Sequence, residues 1–268
     1  MDVNQYKEIK RIFDCLCSAA SISEERKKEY FIPEIFRTKG QEQSEPEIYD
    51  RMCFSLQNTS HMRNSINMSE FCNNRIIEKV LYNYDYKKVS EYSKWEDVYD
   101  ELKREGITDN GKGDKRKTNW QKFCEGIYEG AKWLIKEGYP KVKELTAEKI
   151  DGNTSFDRIY MDINIIEKAI PNMGTALVCD WLKECGCTWL VKPDVHIRSV
   201  YAHFTDKEVS KCLDKDIIRE MYEWASDLQK YDSEMTAYKL DRIIWLICTG
   251  DFFLDNKKIG RQLLTMIK

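Results

Sequence analysis

Glycine, proline and long apolar runs are scarce in this sequence, and each shortage argues against a class of protein. Twelve glycines and five prolines in 268 residues are few for the many turns of an all-β sandwich or barrel. No run of about 18 apolar residues occurs, so no membrane span is predicted. The first eleven residues are mostly polar, and no apolar segment of the kind that directs secretion follows them. We therefore expect a chain that is neither secreted nor membrane-bound.

Cysteine is plentiful, but its spacing is not that of a metal site. The ten cysteines include no CxxC pair, and without a secretion signal we expect free thiols in a reducing compartment, mostly in the core. Cys185 and Cys187 are close enough for a metal or redox pair. Zinc and iron–sulfur sites need further ligands at short spacing, however, and none are nearby in the sequence.

Net charge is a weak indicator here, because binding depends on where the charge lies. The formal net charge is −3, with a pI of about 5.8. The stretch from Lys103 to Lys122 is nevertheless locally basic, with seven Lys or Arg residues against three Asp or Glu. A solvated surface loop explains this run as well as a binding role does, since Lys and Arg side chains are mostly exposed.

Apolar residues recur at helical spacing, and alternation with period two appears nowhere over a useful length. We therefore predict an all-α fold. The polar segment Thr38–Glu47 is interpreted as a linker, with Ser44 capping the helix that follows. Residues 84–118 are predicted to be irregular apart from one helix, and Pro140 and Gly152 to mark breaks. The predicted helices span residues 3–20, 44–56, 69–81, 95–104, 119–136, 161–169, 175–185, 195–204, 214–229, 235–249 and 257–267.

The segment from Ile170 to Val178 separates two amphipathic helices by a turn of about four residues. Pro171 and Gly174 favour a tight turn at this point. Such a turn can expose the backbone N–H groups that begin the second helix. These groups, together with the helix dipole, can hold a phosphate without any net basic charge. An ordinary corner between two helices is the competing interpretation of the turn alone.

A second informative segment, Trp189–Val200, follows the helix that leaves this turn. Pro193 restricts Lys192 to an extended conformation, so Asp194 is predicted to lie at the N-terminus of the next helix. Helix N-capping is by itself the commonest role of an Asp in that position.

Taken together, these segments resemble the helix-hairpin-helix/GPD superfamily of base-excision DNA glycosylases. The Leu-Pro-Gly-Val-Gly-type hairpin of that family corresponds to Ile170–Gly174. Its Val-Asp-x-His-type segment corresponds to Asp194, with His196 and Arg198 after it. Its Leu-Ser-x-Gln-x-Thr-type stretch corresponds to residues 54–60, Phe-Ser-Leu-Gln-Asn-Thr-Ser. The three matches occur in the right order along the chain. The Asp-Val-His sequence at Asp194 and the Asn beside Gln57 are most similar to the 8-oxoguanine glycosylase branch of the family.

The sequence departs from the family's pattern at the hairpin. Bifunctional members carry a lysine nucleophile two residues after the second hairpin glycine, where this sequence has Ala176. Without an amine there, no Schiff base with the sugar can form at that site. Lys183 and Lys192 are nearby in sequence, but nothing places either in a pocket. Asn172 replaces the first hairpin glycine and is a residue that tolerates left-handed backbone angles.

The resemblance implies two helical lobes that flank a DNA-binding cleft. Residues 45–190 would form one lobe, which contains the helix-hairpin-helix element at about 161–187. Residues 1–44 and 191–268 would form the other. The four-cysteine cluster that some members carry near the C-terminus is absent, because two cysteines alone follow the aspartate. No cofactor is therefore expected.

The resemblance also implies a partner and a mechanism. The partner is double-stranded DNA with a damaged or modified base, which must leave the stack before it can react. Asp194 would stabilise the positive charge that develops on the sugar, or activate water. Gln57 and Asn58 would fill the space that the base vacates, and aromatic residues would face the extruded base. The residues expected to hold DNA phosphates are Asn172, Met173, Gly174, Thr175, Ala176, His196 and Arg198.

Three functions are consistent with these observations. The first is a monofunctional DNA glycosylase, in which Asp194 works with water rather than with a lysine. The second is a DNA-binding protein that keeps the fold without catalysis, because Asn172 and Ala176 depart from the active pattern. The third is a helical interaction protein with no nucleic-acid role, which the acidic balance favours. For the first we expect a monomer, located in the cytoplasm with the nucleoid or in the nucleus.

Overall fold

The computed structural model confirms the predicted all-α fold. Helices make up most of the part of the chain that it describes, and none of them is long and apolar enough to cross a bilayer. Two antiparallel strands of two residues each, β1 (Asp251–Phe252) and β2 (Lys257–Lys258), pair near the C-terminal end of that part. The described residues are 1–39, 44–58, 73–107, 109, 117–147 and 152–259.

The chain divides into two compact units. One unit is discontinuous and consists of Met1–Thr38 and Gly186–Lys268, while the other is the continuous segment Lys39–Cys185. In the discontinuous unit, the last helix packs against the first helix and against the two helices that precede it. The α-helices of this unit are α1 (Val3–Ala19), α2 (Glu24–Glu29), α3 (Glu34–Lys39), α12 (Val195–Thr205), α13 (Asp214–Leu228) and α14 (Ala237–Thr249).

Two helices of the continuous unit pack against the same third helix. Both α8 and α11 pack against α4, and α11 also packs against α10. Helix α11 is buried at nine of its ten residues, whichever side they face. The α-helices of this unit are α4 (Glu45–Gln57), α5 (Asn73–Lys79), α6 (Tyr86–Val89), α7 (Trp95–Arg104), α8 (Asn119–Trp133), α9 (Tyr139–Ala147), α10 (Gly152–Ala169) and α11 (Thr175–Glu184).

Polar caps fix where α4 and α8 begin. Ser44 lies at the start of α4 as predicted, and its backbone N–H donates to Glu47 Oε2 at 3.0 Å. At α8, Thr118 Oγ1 accepts from the Gln121 backbone N–H at 3.2 Å, and Gln121 Oε1 accepts from the Thr118 N–H at 2.9 Å. These reciprocal bonds satisfy backbone donors that a helix leaves unpaired at its start.

The predicted break at Pro140 occurs two residues earlier, at Gly138. Helix α8 is followed by a π-helical turn, Leu134–Gly138, and then by α9. Gly138 has φ +75°, an angle outside the right-handed helix that glycine adopts without steric cost. Pro140 is the second residue of α9, where the missing N–H of proline costs no helical hydrogen bond. The chain therefore leaves the helix at Gly138 and begins a new one at Tyr139.

Three other sequence predictions need correction. Helix α10 begins at Gly152, well before the predicted residue 161, and α6 lies inside the region predicted to be irregular. The predicted helix at 257–267 is wrong at residues 257 and 258, which form β2. Some predictions fall outside the described residues, namely those for Thr59 and Ser60, the helix start at Ser69, residues 260–267, and residues 108 and 110–116 of the basic stretch.

Candidate nucleic-acid interface and active site

The turn between α10 and α11 is closed by short hydrogen bonds. Helix α10 ends at Ala169 and α11 begins at Thr175, with Gly174 as its N-cap residue. The Leu177 N–H donates to the Gly174 carbonyl at 2.8 Å. The Thr175 hydroxyl donates to Glu167 Oε2 at 2.6 Å, which joins the first residue of α11 to the last turns of α10. We call residues 170–174 the hairpin.

Asn172 holds the hairpin in a conformation that few residues adopt. Its φ is +64°, in the left-handed region, and asparagine is one of the few residues that tolerate this angle, as predicted. Its side-chain Nδ2 donates to the Lys122 carbonyl at 3.1 Å and to Glu125 Oε2 at 2.9 Å. Glu125 in turn pairs with Lys117 at 2.6 Å. The hairpin is thus anchored to the first turns of α8.

Two glycines of α8 leave room for the hairpin backbone and for side chains of α4. This role of the two glycines was not predicted from the sequence. A β carbon on Gly126 of α8 would lie 3.1 Å from the Pro171 carbonyl and 2.9 Å from Leu56 Cδ2. A β carbon on Gly130 would lie 2.3 Å from Met52 Cε. The signal was present as two glycines four residues apart, which lie on one face of a helix.

The hairpin presents backbone rather than side chains to its surroundings. The side chains of Met173 and Thr175 are buried, whereas Gly174 is exposed and a β carbon there would meet nothing within 4 Å. No side chain caps α11 at Gly174. Any contact that Thr175 makes with a ligand must therefore use its backbone, whereas the Met173 N–H already donates to the Ile170 carbonyl at 3.3 Å. The positive end of the α11 dipole reinforces an anion in this position.

The end of α4 is held by a buried carboxylate that sequence analysis did not single out. Asp180 Oδ2 accepts from Ser55 Oγ at 3.2 Å and from Asn58 Nδ2 at 3.0 Å. Asp180 is 7% exposed. Gln57 is half-buried, and no other residue that the structure describes forms a hydrogen bond with its side chain. An Asp among the apolar residues of α11 was the available signal for this contact.

The nearest lysine of α11 lies in the same buried region. Lys183 is 3% exposed, and its Nζ lies 3.9 Å from Asp180 Oδ1 and 3.8 Å from Glu184 Oε1. This lysine is therefore enclosed and ion-paired with two carboxylates of its own helix. Ala176, seven residues earlier, is half-buried in the first turn of the same helix.

In the discontinuous unit, Asp194 is the N-cap of α12, as predicted. Its Oδ1 accepts from the backbone N–H groups of His196 at 2.9 Å and Ile197 at 3.1 Å. Among the described residues, none donates a hydrogen bond to Oδ2, and the side chain is half-buried. Burial, with a smaller contribution from the Asp194 charge, raises the pKa of the nearby Cys248 thiol to about 11. One carboxylate oxygen is therefore fixed by the helix, while the other is available for chemistry.

Arg198 and His196 lie on the same helix with different surroundings. The Arg198 guanidinium donates to the Cys212 carbonyl and pairs with Asp214 at the start of α13. His196 is half-buried. The structure thus places Asp194, His196 and Arg198 in the discontinuous unit, and Gln57, Asn58 and the hairpin in the continuous one.

Comparison with solved structures identifies the fold. The chain is similar to the 8-oxoguanine glycosylase/lyase of Methanocaldococcus jannaschii in complex with a 15mer DNA containing 8-oxoguanine, with a TM-score of 0.53 and 16% identity over 91% of this chain and 98% of that one. A second structure, the 8-oxoguanine DNA glycosylase of the same organism, gives a TM-score of 0.54 and 16% identity over 92% and 96% of the two chains. The chain shares the fold of these two 8-oxoguanine DNA glycosylases. No protein-family profile and no curated protein sequence matches it.

The glycosylase fold confirms the resemblance that the hairpin and Asp194 indicated. Structural similarity at this sequence identity establishes the fold and leaves the chemistry to be argued from the residues themselves. For this chain those residues are a hairpin with an exposed Gly174 at the start of α11, Ala176 in the first turn of that helix, and an Asp194 carboxylate to whose Oδ2 no described residue donates.

Proposed function

We propose that this chain is a monofunctional DNA glycosylase, which hydrolyses the N-glycosidic bond of a damaged or modified base in double-stranded DNA. The observation that carries the proposal is the carboxylate of Asp194. Its Oδ1 is fixed by two backbone amides of α12, at 2.9 and 3.1 Å, and no residue in the described part of the chain donates to its Oδ2. The glycosylase fold and the DNA-bound neighbour support a DNA substrate.

The reaction that we propose requires a fixed negative charge beside the sugar. The bond between C1′ and the base nitrogen breaks with both electrons leaving on the base, and positive charge develops on the sugar. The Asp194 carboxylate stabilises that charge, and water adds to C1′ while its proton passes to Oδ2. The amides that bind Oδ1 hold the carboxylate in position through the reaction.

The absence of strand cleavage follows from the residues around the hairpin. A glycosylase that also cleaves the strand uses an amine to form a Schiff base with the sugar. Ala176 has no amine, and Lys183 is buried and ion-paired with Asp180 and Glu184, so its amine is not presented to a ligand. We therefore assign the nucleophile to water.

Contact with the DNA backbone is assigned to the hairpin. The amides at the start of α11 are not capped by a side chain, and the absence of a β carbon at Gly174 lets a phosphate approach them closely. Because this site uses backbone dipoles, it needs no net basic charge. The acidic composition of the chain is therefore compatible with DNA binding.

The test is an activity screen on duplexes that carry single modified bases, including 8-oxoguanine, with Asp194→Asn as the matched control. Asparagine caps helices as well as aspartate does, so the variant should keep the stability of α12 while losing the charge. We expect the wild type to release a base from at least one duplex, and Asp194→Asn to be slower by about 100-fold or more. Alkali should be needed to reveal strand breaks.

Three results would argue against the proposal in different ways. Strand breaks without alkali, together with trapping of a protein–DNA adduct by borohydride, would show a lyase and refute the monofunctional assignment. Equal base release by the wild type and by Asp194→Asn would remove Asp194 from the chemistry. DNA binding with no base release from any duplex would favour a binding protein that keeps the fold without catalysis.

A further inference from the structure

We propose that Asp180 is a positioning residue, which fixes Asn58 at the end of α4 so that Gln57 is the side chain that enters the gap left by an extruded base. The inference rests on the proposed function and deepens it. The sequence assigned one role, filling the gap, to both Gln57 and Asn58, and the inference gives them separate roles. It also gives the buried Asp180 carboxylate a function.

The geometry ties the end of α4 to the helix that leaves the hairpin. One carboxylate oxygen of Asp180 accepts from Ser55 Oγ at 3.2 Å and from Asn58 Nδ2 at 3.0 Å. These two donors are three residues apart and span the last turn of α4. The next residue of α11, Trp181, donates from Nε1 to the Ile48 carbonyl at 2.9 Å. Helix α11 therefore holds α4 near its start and at its end.

The same bonds separate the roles of the two neighbouring amides. The Asn58 side chain is committed to Asp180, and its backbone N–H donates to the Ser55 carbonyl at 3.0 Å. The Gln57 side chain has no hydrogen-bonded partner among the residues that the structure describes, and it is half-buried rather than enclosed. Of the two amides, Gln57 is thus the one that can move into a duplex without breaking a bond inside the protein.

A role in packing alone does not explain a carboxylate at this place. Asp180 is 7% exposed, and burying a charge is costly even when it is paired with a cation such as Lys183. An apolar residue of similar size would pack α11 on α4 without that cost. The arrangement is understandable if the position of the Asn58 amide, rather than stability, is what the carboxylate maintains.

The experiment measures insertion into a gap directly and does not depend on the target base. The probe is a duplex with a tetrahydrofuran abasic analogue and 2-aminopurine in the opposite strand. It is compared with an undamaged duplex of the same sequence. We expect Gln57→Ala to abolish the fluorescence change on binding. Asp180→Ala and Asn58→Ala should each weaken binding to the abasic duplex by about tenfold, as loss of one hydrogen bond to a charged group does.

Three comparisons separate positioning from a general loss of structure. Affinity for the undamaged duplex, which the hairpin amides supply, should stay within about twofold in every variant, a change of less than about 0.5 kcal/mol. The double variant Gln57→Ala with Asp180→Ala should bind the abasic duplex no more weakly than Gln57→Ala alone. Both substitutions remove the same interaction, the insertion of Gln57 into the gap, so their effects should not add. Asp180→Asn, which keeps an acceptor oxygen, should retain most of the preference. If Asp180→Ala does not fold, Asn58→Ala breaks the same bond from the more exposed side.

The outcomes distinguish this inference from the proposed function. A wild-type protein with no preference for the abasic duplex would overturn both. A wild-type preference that Asp180→Ala and Asn58→Ala retain in full would overturn the positioning role alone. Equal losses on both duplexes would assign Asp180 to structure only. An abolished fluorescence change in Asn58→Ala with a normal one in Gln57→Ala would reverse the proposed roles.

Discussion

The side-chain amide of Asn172 donates to Glu125 Oε2 at 2.9 Å, and this bond ties the hairpin to α8. Asn172 also has a φ of +64°, so one residue provides both the left-handed turn and its anchor. A glycine at this position would supply the backbone angle without the anchor. Asparagine in place of glycine at position 172 therefore adds a contact with Glu125 and keeps the turn.

Substitution of Asn172 should separate these two contributions. Asn172→Gly keeps the left-handed angle and loses the side-chain bonds, so we expect a loss of about 1 kcal/mol in the free energy of unfolding. Asn172→Ala loses the bonds and must also strain the backbone, which adds about 1 kcal/mol or more. Urea denaturation of both variants measures the difference. Equal stabilities would mean that the backbone angle does not limit the choice of residue.

Ala176→Lys should introduce the chemistry that the wild type lacks. The position lies in the first turn of α11, two residues after Gly174, where bifunctional members of the family carry their lysine. We expect the variant to form a borohydride-trapped adduct with an abasic duplex, with a yield at least about tenfold above that of the wild type. Ala176→Gln, of similar length but without an amine, is the matched control. Trapping that is equally strong in the wild type would show that another amine, such as Lys192, reaches the sugar.

Substitution by alanine should lower DNA affinity at Gly174 and the stability of the fold at Gly126. A methyl group at Gly174 meets nothing within 4 Å, so we expect Gly174→Ala to change the free energy of unfolding by less than about 0.5 kcal/mol. It should weaken DNA binding about tenfold, because the methyl lies where a phosphate approaches the amides. A methyl at Gly126 would lie 3.1 Å from the Pro171 carbonyl and should destabilise the fold by about 1 kcal/mol or more. Thermal unfolding and a binding titration of both variants give the comparison. Unchanged DNA affinity in Gly174→Ala would remove the hairpin from the interface.

Acid should release one contact that joins α1 to the loop before α14. Asp232 Oδ2 accepts from Tyr6 Oη at 3.1 Å and lies 2.9 Å from Lys239 Nζ. Burial opposes ionisation, but the hydrogen bond and charge of Lys239, with the Tyr6 hydroxyl, lower the pKa of Asp232 below its usual value. Because the pKa of Asp232 is lower in the folded state, its ionisation stabilises the fold at pH values above its unfolded pKa of about 4. This contribution disappears as the pH falls through the folded-state pKa.

Asp232→Asn therefore tests that contact through its pH dependence. We expect the variant to be less stable than the wild type by about 1 kcal/mol at pH 7, and the difference to shrink towards zero below about pH 3. Urea denaturation at both pH values gives the two differences. A difference that stays constant from pH 7 to pH 3 would show that the ionisation of Asp232 does not contribute.

The features that could be predicted from the sequence are those decided by nearby residues. Ser44 with Glu47, and Asp194 with the amides that follow it, act within one helical turn, so local chemistry places the helix starts correctly. The hairpin was recognisable for the same reason. Local reasoning placed the break at Pro140 two residues too late, because Gly138 supplies the left-handed angle at which the helix is interrupted.

The features that could not be predicted depend on residues far apart in the chain. Asp180 meets Ser55 and Asn58 across more than a hundred residues, and no local pattern says which helix an acidic side chain will face. The close packing of Gly126 on Pro171 is of the same kind. Residues 257 and 258 form a strand because they pair with Asp251 and Phe252, and a two-residue pairing leaves no periodicity to detect.

The discontinuous unit has a consequence for synthesis on the ribosome. Residues Lys39–Cys185 form one unit without a break, whereas Met1–Thr38 belong with residues that begin at Gly186. The continuous unit can fold as soon as Cys185 leaves the exit tunnel. The N-terminal helices are made first but cannot complete their core until α14 has been translated, so their apolar faces need protection during that interval. Nascent chains stalled beyond residue 185 should therefore resist protease within 39–185 and remain sensitive within the first 38 residues.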